Sequence, residues 1–299
     1  MSASKFTYQR TAYLRRMMRV LIVLILIAVI ALTSVSCHFF SAQGKLVDVG
    51  GHRLYLNCTG EGSPTVILDA GLGDDSSNSW SDVQPEIAKF TRVCSYDRAN
   101  TGSSDSISKP RTIEQIVADL HNLLTNAKVP APYVLVGHSF GGMNVRMYAA
   151  KYPTEAAGIV LVDSSLEDLF VRLDAFVDAE SMKRIRARAA DNKEGVDWEA
   201  ACALVRAADW RSEIPLVVLT RGREEDLSKI APEDVEKVKK MGQVFRELQS
   251  DLTRHSSNSK QIIAEKSGHH IQADQPELVI DAIRQVVETV RKKASLKTS

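Results

Sequence analysis

The chain carries almost no charge imbalance, because its 299 residues include 38 basic and 37 acidic side chains, a net charge of +1. Proteins that bind nucleic acid usually present a clear basic excess, so this balance predicts no nucleic-acid partner. Internal repeats and low-complexity tracts are absent as well, which excludes solenoid and fibrous classes. The 44% hydrophobic and 25% charged residues are ordinary for one large globular domain with an insertion.

The sequence also lacks the usual patterns of metal and cofactor sites. It contains no spaced set of cysteines and histidines and no His-Glu-x-x-His segment, the patterns typical of zinc sites. The segment Gly71-Leu72-Gly73 lacks the third glycine of a dinucleotide-binding turn. We therefore predict neither a metal nor a cofactor.

Acidic residues are missing from the first 47 positions, where a basic segment precedes the apolar run Val20–Leu32. We interpret residues 1–44 as a basic leader with a hydrophobic signal-anchor or signal segment. Three alternatives stay open: a retained transmembrane helix, a cleaved signal peptide, or lipid attachment at Cys37. Each predicts a body outside the cytoplasm, either held at the membrane by the N-terminal segment or secreted.

Beyond residue 44, short apolar runs alternate with amphipathic helical patterns. This alternation predicts an α/β fold, with a mostly parallel sheet covered by helices on both faces. Trp80–Phe90 is predicted as one of the helices. The predicted strands are Lys45–Val49, His52–Asn57, Thr65–Leu68, Thr91–Tyr96, Val134–Val136, Gly158–Val162, Pro215–Leu219 and Gln261–Ala264.

Residues 166–212 interrupt the alternation with charge-rich helical patterns and no predicted strand. We interpret them as a helical cap inserted into a core formed by residues 45–165 and 213–299. The reason for this interpretation is that the segment separates two strands of the predicted sheet.

The stretch Tyr133–Gly142 places Ser139 between Gly137 and Gly141, after a buried strand and before a helical pattern. A Gly-x-Ser-x-Gly turn in this context is typical of a nucleophile elbow. Its serine takes strained backbone angles, and the flanking glycines let the strand and the helix pass closely. The sequence therefore predicts Ser139 as a nucleophile.

Other polar side chains follow other predicted strands: Asp163, the loop after Leu219, and His269. The carboxyl ends of parallel strands meet at one edge of a sheet, and ligands bind there. We therefore expect these groups to lie near Ser139 and form an active site.

Three motifs carry a resemblance to a known family: Gly137–Gly142, the Tyr-Asp-Arg segment Tyr96–Arg98, and Gly268–Pro276. With them, the chain resembles an α/β-hydrolase-fold serine hydrolase of the esterase/lipase-like group with a helical cap. The resemblance implies eight strands in the spatial order 1-2-4-3-5-6-7-8. The chain departs from the family pattern at Ala70-Gly71, where His-Gly is common, and at Asn100-Thr101, where a glycine and an aromatic residue are common.

The same strand order bears on the four cysteines. From the residues alone, a structural pair and four independent thiols are about equally plausible. The strand order implied by the resemblance places the strand of Cys58 beside that of Cys94, and it thereby implies a Cys58–Cys94 disulfide.

A serine needs a base that removes its proton, and the base needs a carboxylate that orients it. The family spacing between histidine and Pro276 selects His269 over His270 as the base. For the acid, Asp163 is preferred as the single carboxylate that ends a buried strand, and Asp226 is the alternative. Glu224 and Glu225 occupy the same loop as Asp226. The resemblance implies an oxyanion hole made by the main-chain N–H groups of Leu72 and Phe140.

These residues predict a serine hydrolase that cleaves a small-molecule carboxylic ester through an acyl-enzyme intermediate. One alternative is an amide or peptide hydrolase similar to proline aminopeptidases of this fold. Such an enzyme needs a site for the substrate amine, which Glu180, Asp191 or Glu194 of the cap could supply. A hydrolase-like ligand-binding protein without catalytic activity is the remaining alternative.

Overall fold

The computed structural model describes residues 44–298 apart from 109, 211, 212 and 225. The predicted leader, its apolar run and Cys37 lie outside these residues, as does Glu225. Within the described part of the chain, no helix combines the length and the apolar character needed to cross a membrane.

Eight strands form one sheet in the order β1-β2-β4-β3-β5-β6-β7-β8. Strand β2 runs antiparallel to both β1 and β4, and the remaining neighbours are parallel. This arrangement confirms the predicted fold and strand order. The strands are β1 Lys45–Asp48, β2 Arg53–Thr59, β3 Thr65–Asp69, β4 Val93–Tyr96, β5 Tyr133–His138, β6 Ala156–Val162, β7 Leu216–Arg221 and β8 Ser259–Ala264.

Helices lie between and after the strands. They are α1 Ser76–Trp80, α2 Gln84–Ile87, α3 Ile113–Asn126, α4 Phe140–Lys151, α5 Leu169–Leu173, α6 Ala179–Ala190, α7 Trp198–Ala207, α8 Val235–Asp251, α9 Ile271–Asp274 and α10 Pro276–Thr298. Short 3-10 turns at Leu227–Lys229, Pro232–Asp234 and Leu252–His255 flank α8.

The prediction of one helix over Trp80–Phe90 is wrong, because α1 and α2 are separate short helices. Pro85 explains the division, since it lies in the first turn of α2. A proline has no N–H and is tolerated in a first helical turn, whereas it breaks a helix interior.

Both faces of the sheet are buried along the strands β3 to β7, as expected for parallel strands that read as continuous apolar runs. Strand β5 illustrates the alternation, because Leu135 joins the apolar core of one face while Val134 and Val136 join that of the other. Helices α3 and α4 cover the first face, and α2 and α10 cover the second. This burial fixes the register of the strands and hence the positions of the residues at their ends.

The segment between β6 and β7 contains the helices α5, α6 and α7. Its own small apolar cluster comprises Leu173, Val177 and Met182. The segment also touches the core through a bridge between Val196 and Arg111, which lies just before α3. This bridge anchors the inserted segment near the loops at the sheet edge, and Glu194 lies two residues before it.

Cys58 and Cys94 are directly opposite each other in β2 and β4 and form a disulfide. Cys202 in α7 is a buried free thiol, and burial raises its pKa to about 12. A thiol with so high a pKa is protonated near neutral pH and is a poor nucleophile.

Candidate active site

Ser139 occupies the turn between β5 and α4 with φ 52° and ψ −118°, in the region that L residues rarely adopt. The flanking glycines are required here. A Cβ on Gly137 would overlap the main chain of Gly141, and a Cβ on Gly141 would overlap the carbonyl of Asp69. Strain at one serine, held by two close backbone contacts, is the geometry of a nucleophile elbow.

The structure brings His269 and Asp163 together. Asp163 follows β6 with φ 43° and is fully buried, and its Oδ2 lies 2.6 Å from His269 Nδ1. Its main-chain N–H donates to Leu219 O at 2.8 Å, which ties the residue to the neighbouring strand. An imidazole that donates Nδ1–H to a buried carboxylate has its tautomer fixed, with the unprotonated Nε2 free to accept a proton.

Arg221 is a second partner of Asp163 that the sequence reasoning missed. Its main-chain N–H donates to Oδ1 at 3.0 Å, and its Nη1 donates to Oδ2 at 2.7 Å. Burial would raise the pKa of Asp163, but the hydrogen bond from His269 and the charge of Arg221 outweigh it and lower this pKa. The signal was available, since Arg221 ends β7 and β7 lies beside the strand that Asp163 follows.

The alternative acid, Asp226, lies apart from His269. It is exposed, and its carboxylate accepts hydrogen bonds from the main chain and hydroxyl of Ser228 and pairs with Lys229. These bonds lower the pKa of Asp226 and cap the short turn that begins at Leu227. Glu224, from the same loop, is also exposed.

The hydroxyl of Ser139 is half-buried, and its hydrogen-bond partner is Ser165 Oγ at 3.3 Å. Ser165 also donates its main-chain N–H to Ser139 O at 2.9 Å. The structure shows no hydrogen bond between Ser139 and His269. Ser165 escaped the sequence reasoning, although it lies two residues after Asp163 at the same strand end.

His138 precedes the nucleophile, and its ring lies against His269, with the ring centroids 4.8 Å apart. Its Nε2 lies 2.9 Å from the main-chain oxygen of His269, and only an N–H can pair with that acceptor. Burial and the neighbouring His269 lower the pKa of His138 to about 3, so it is neutral at physiological pH. His138 therefore supports the loop that carries His269, while His270 is exposed.

The two expected oxyanion donors lie at the same sheet edge. Phe140 begins α4, and Leu72 belongs to the loop after β3. Neither main-chain N–H donates to an acceptor among residues 44–298, as far as these are described. Free N–H groups at the start of a helix and in a loop can donate hydrogen bonds to an anionic ligand.

Behind Leu72 lies a buried ionic cluster of Asp69, Arg98 and Glu194. Burial would lower the pKa of Arg98, but the charges of Glu194 and Asp69 outweigh it and raise this pKa well above its ordinary value. Glu194 was one of the three cap residues that could bind a substrate amine. Instead it is fully buried, and both of its carboxylate oxygens are hydrogen-bonded. Glu180 and Asp191 are exposed.

No group of histidines, cysteines and carboxylates in the described residues has an arrangement that could hold a metal ion. A cavity of about 760 Å³ lies beside Asp163, and one of its lining residues is Arg221, which bonds this carboxylate. Its other walls include Leu169 and Leu173 of the insertion and Phe245 of α8. The arrangement thus combines a strained serine, an oriented imidazole, free N–H donors and a neighbouring cavity.

A family model and several known proteins match this chain. A family model described as the alpha/beta hydrolase fold matches residues 64–227. The uncharacterized protein YqjL of Bacillus subtilis is 30% identical over 228 residues, which cover 76% of this chain and 85% of that protein. Proline iminopeptidase PfmaB of Pestalotiopsis fici is 32% identical over 120 residues, or 39% of this chain and 42% of that one.

Among solved structures, a thermophilic esterase from Thermogutta terrifontis superimposes with a TM-score of 0.57 at 22% identity. The match covers 83% of this chain and 99% of the esterase. Some curated relatives are longer, since the chain spans 44% of one and 29% of another. The family match over more than half of the chain and the similarity to YqjL lead to one conclusion: this chain belongs to the alpha/beta hydrolase fold family.

Proposed function

We propose that the chain is a serine hydrolase that cleaves small-molecule carboxylic esters through an acyl-enzyme intermediate. The observation that carries the proposal is the 2.6 Å contact between His269 Nδ1 and the buried Asp163, at the sheet edge that also holds the strained Ser139. A histidine oriented by a buried carboxylate near an elbow serine is the arrangement that activates a hydroxyl.

In the proposed reaction, Ser139 Oγ attacks the ester carbonyl carbon and its proton moves to His269 Nε2. The carbonyl oxygen becomes an oxyanion that accepts hydrogen bonds from Leu72 N–H and Phe140 N–H. Collapse breaks the bond to the alcohol oxygen, which takes the proton from His269. A water molecule then attacks the acyl-enzyme by the same route, releasing the acid and restoring Ser139.

The hydrogen bond between Ser139 and Ser165 adds a step to this sequence. The serine hydroxyl must leave Ser165 Oγ, 3.3 Å away, and turn toward His269 before the proton can move. Catalytic hydrogen bonds are often long or misaligned in a ligand-free protein and tighten when substrate binds. Ser165 is therefore a resting partner of the nucleophile in our proposal.

The amide-hydrolase alternative is favoured by the similarity to a proline iminopeptidase over 39% of the chain. It needs a carboxylate that is free to bind the substrate amine. Both oxygens of Glu194 are occupied, and Glu180 is exposed and pairs with Arg184. The ester reaction requires no such carboxylate, so it remains our first proposal.

Labelling of the full chain with a fluorophosphonate probe tests the activated serine. We expect the wild type to be labelled, Ser139→Ala to be unlabelled, and His269→Ala to label at least about a hundredfold more slowly, the lower range for general base catalysis. A panel of p-nitrophenyl esters and aminoacyl anilides, assayed with the labelled protein, then separates ester from amide cleavage. A folded wild type that never labels would contradict both enzymatic proposals and favour ligand binding.

We also propose that the body functions outside the cytoplasm, either held at a membrane by the N-terminal segment or released. The Cys58–Cys94 disulfide supports this, since disulfides persist in oxidising compartments. Fractionation of cells, with alkylation of free thiols before lysis, provides the test. Recovery of the protein in the soluble cytoplasm with both cysteines alkylated would contradict the proposal.

A further inference from the structure

The buried ionic cluster behind Leu72 joins three separate parts of the chain. Asp69 ends β3, Arg98 follows β4, and Glu194 belongs to the inserted segment just before α7. At most 2% of any of these side chains is exposed. Charges taken so far from water require close partners, so the cluster ties the three segments together firmly.

Arg98 uses all of its donors. Its Nε donates to Glu194 Oε2 at 2.7 Å, and its Nη1 donates to Asp69 Oδ1 at 2.5 Å and to Ala70 O at 2.8 Å. Its Nη2 donates to Glu194 Oε1 at 2.7 Å and to Gly71 O at 2.5 Å. A guanidinium has five N–H donors, and each of the five has an acceptor here.

Two of these acceptors belong to the loop that carries Leu72. The carbonyl of Gly71 lies in the same peptide unit as the N–H of Leu72, and that peptide bond is trans. In a trans peptide the C=O and the N–H point in opposite directions within one plane. The hydrogen bond from Arg98 to Gly71 O therefore sets the direction of the Leu72 N–H, and the cationic donor also strengthens that N–H as a donor.

Glu194 restrains the peptide unit between Gly71 and Leu72 from two directions, through Arg98 and through Gly73. Its Oε1 accepts the main-chain N–H of Gly73 at 2.6 Å, one residue beyond Leu72, while both oxygens hold Arg98. Without Glu194, the buried Nε and part of Nη2 of Arg98 lose their acceptor, and so does Gly73. A buried donor without an acceptor is costly, so the guanidinium and the loop would rearrange.

We propose that Glu194, acting through Arg98 and Gly73, positions the Leu72 N–H, so that the inserted segment completes the oxyanion hole. Glu194 is a positioning residue, since its carboxylate bonds Arg98 and Gly73 and acts through them. The inference rests on the proposed ester hydrolysis for its kinetic consequence. The mechanical part, the restraint of the loop of residues 70–74 by Glu194, stands independently of catalysis.

The variant Glu194→Gln tests the proposal with little change in shape. Glutamine has one oxygen and one NH2 group, yet the three groups that face this side chain are all donors. At least one buried donor must therefore face another donor. Asp119→Asn is the matched control, because Asp119 is a largely buried carboxylate that pairs with Arg111 and His52 and makes no contact with the loop.

Steady-state hydrolysis of a p-nitrophenyl ester gives the first readout. Removal of one oxyanion donor costs roughly a hundredfold to a thousandfold in kcat. A misdirected donor should cost less, and we expect kcat of Glu194→Gln to fall about tenfold to a hundredfold with KM changed less than about threefold. Asp119→Asn should keep both constants. Arg98→Lys, which keeps the charge without the fork, should resemble Glu194→Gln.

Hydrogen exchange of the loop amides gives a second readout that needs no substrate. The N–H of Gly73 and that of Asp74, which donates to Gly71 O, should exchange at least about tenfold faster in Glu194→Gln and unchanged in Asp119→Asn. A folded Glu194→Gln with unchanged exchange overturns the proposal. The proposal is also overturned if kcat falls equally in Glu194→Gln and Asp119→Asn, or if kcat of Glu194→Gln stays unchanged while its loop amides exchange faster. Faster exchange with a wild type that never labels with fluorophosphonate leaves the restraint established and the proposed hydrolysis wrong.

Discussion

Two ionic clusters lie at the same edge of the sheet and differ in their exposure to solvent. In the first, the buried Asp163 contacts His269 and Arg221, whose side chains remain 39% and 27% exposed. In the second, Arg98 lies between Asp69 and Glu194, and at most 2% of any of these side chains is exposed. The first contains an imidazole that reaches solvent, while in the second each charged group is buried and paired with a partner inside the cluster.

For the proposed reaction, this difference would let one sheet edge both transfer a proton and keep a fixed shape. A base must exchange its proton with a substrate, which requires access and an unprotonated nitrogen. An oxyanion donor must already point at its target before charge develops, which requires rigidity. The accessible cluster of Asp163, His269 and Arg221 suits the first task. The closed cluster of Asp69, Arg98 and Glu194 suits the second.

The largest expected effect comes from Asp163→Asn, which removes the carboxylate from the accessible cluster without changing its size. An asparagine can present its NH2 group to His269 Nδ1, which would favour the wrong tautomer of the imidazole. We expect kcat for ester hydrolysis to fall about ten-thousandfold, the size of the effect when the carboxylate of such a triad becomes an asparagine.

Asp226→Asn is the matched control for that prediction, because Asp226 is exposed and caps a turn. It should alter kcat less than about twofold, as expected of a surface substitution away from the site. Loss of activity in Asp226→Asn with retention in Asp163→Asn would exchange the two assignments. It would also end the comparison of an accessible with a closed cluster.

The sequence predicted the fold well because the strands β3 to β7 bury both faces and therefore read as apolar runs. The order of the strands, and with it the proximity of Cys58 and Cys94, came from the resemblance to the family and is confirmed. The division between α1 and α2 was missed, although Pro85 marks it.

The closed cluster was the part that the sequence could not predict. Glu194 lies in a charge-rich helical segment, where a carboxylate is normally solvated, and nothing near it in the sequence signals burial. Its partner Arg98 is 96 residues away, so only the folded chain brings the two together. Arg221 lies beyond the predicted end of its strand at Leu219, whereas the structure extends β7 to this residue, beside Asp163.

A second prediction concerns His138, whose ring lies against His269. Because burial and His269 lower the pKa of His138 to about 3, the folded protein binds this proton much less readily than the unfolded chain does. Stability is therefore full above the ordinary pKa of 6.5 and falls as the pH drops from there toward about 3. The loss should amount to roughly a few kcal/mol by the acid end of that window.

His138→Gln should remove this dependence, since its side-chain NH2 can still donate toward His269 O while it cannot be protonated in this range. Thermal unfolding between pH 3 and pH 7 measures the effect as a shallower decline of Tm in the variant. His121→Gln is the control, because His121 is only partly buried. Equal slopes in the wild type and in His138→Gln would mean that His138 is not held neutral.

The smallest expected effect separates the roles of the two partners of Asp163. Burial would raise the pKa of Asp163, but the hydrogen bond from His269 and the charge of Arg221 lower it below its ordinary 3.8. Because the folded pKa is lowered, the ionised carboxylate stabilises the protein above pH 3.8, and this stabilisation is lost as the pH falls through the lowered pKa. Arg221→Gln removes the positive charge, so the pKa of Asp163 should rise toward its ordinary value, and the ionised carboxylate should then stabilise the folded protein less above pH 3.8.

We expect the midpoint of acid unfolding of Arg221→Gln to rise by about half a pH unit to one unit, since charge pairs shift a carboxyl pKa by about one to three units and other groups share the transition. Arg223→Gln is the matched control, because Arg223 is exposed and bonds Asp274 and Lys266 O, away from Asp163. Its midpoint should stay at the wild-type value. If both variants shift equally, general surface charge sets the acid limit, and the accessible cluster owes its ionisation to His269 alone. If only Arg221→Gln shifts, this arginine keeps Asp163 ionised in the buried site, which is the condition for a carboxylate that orients the proposed base.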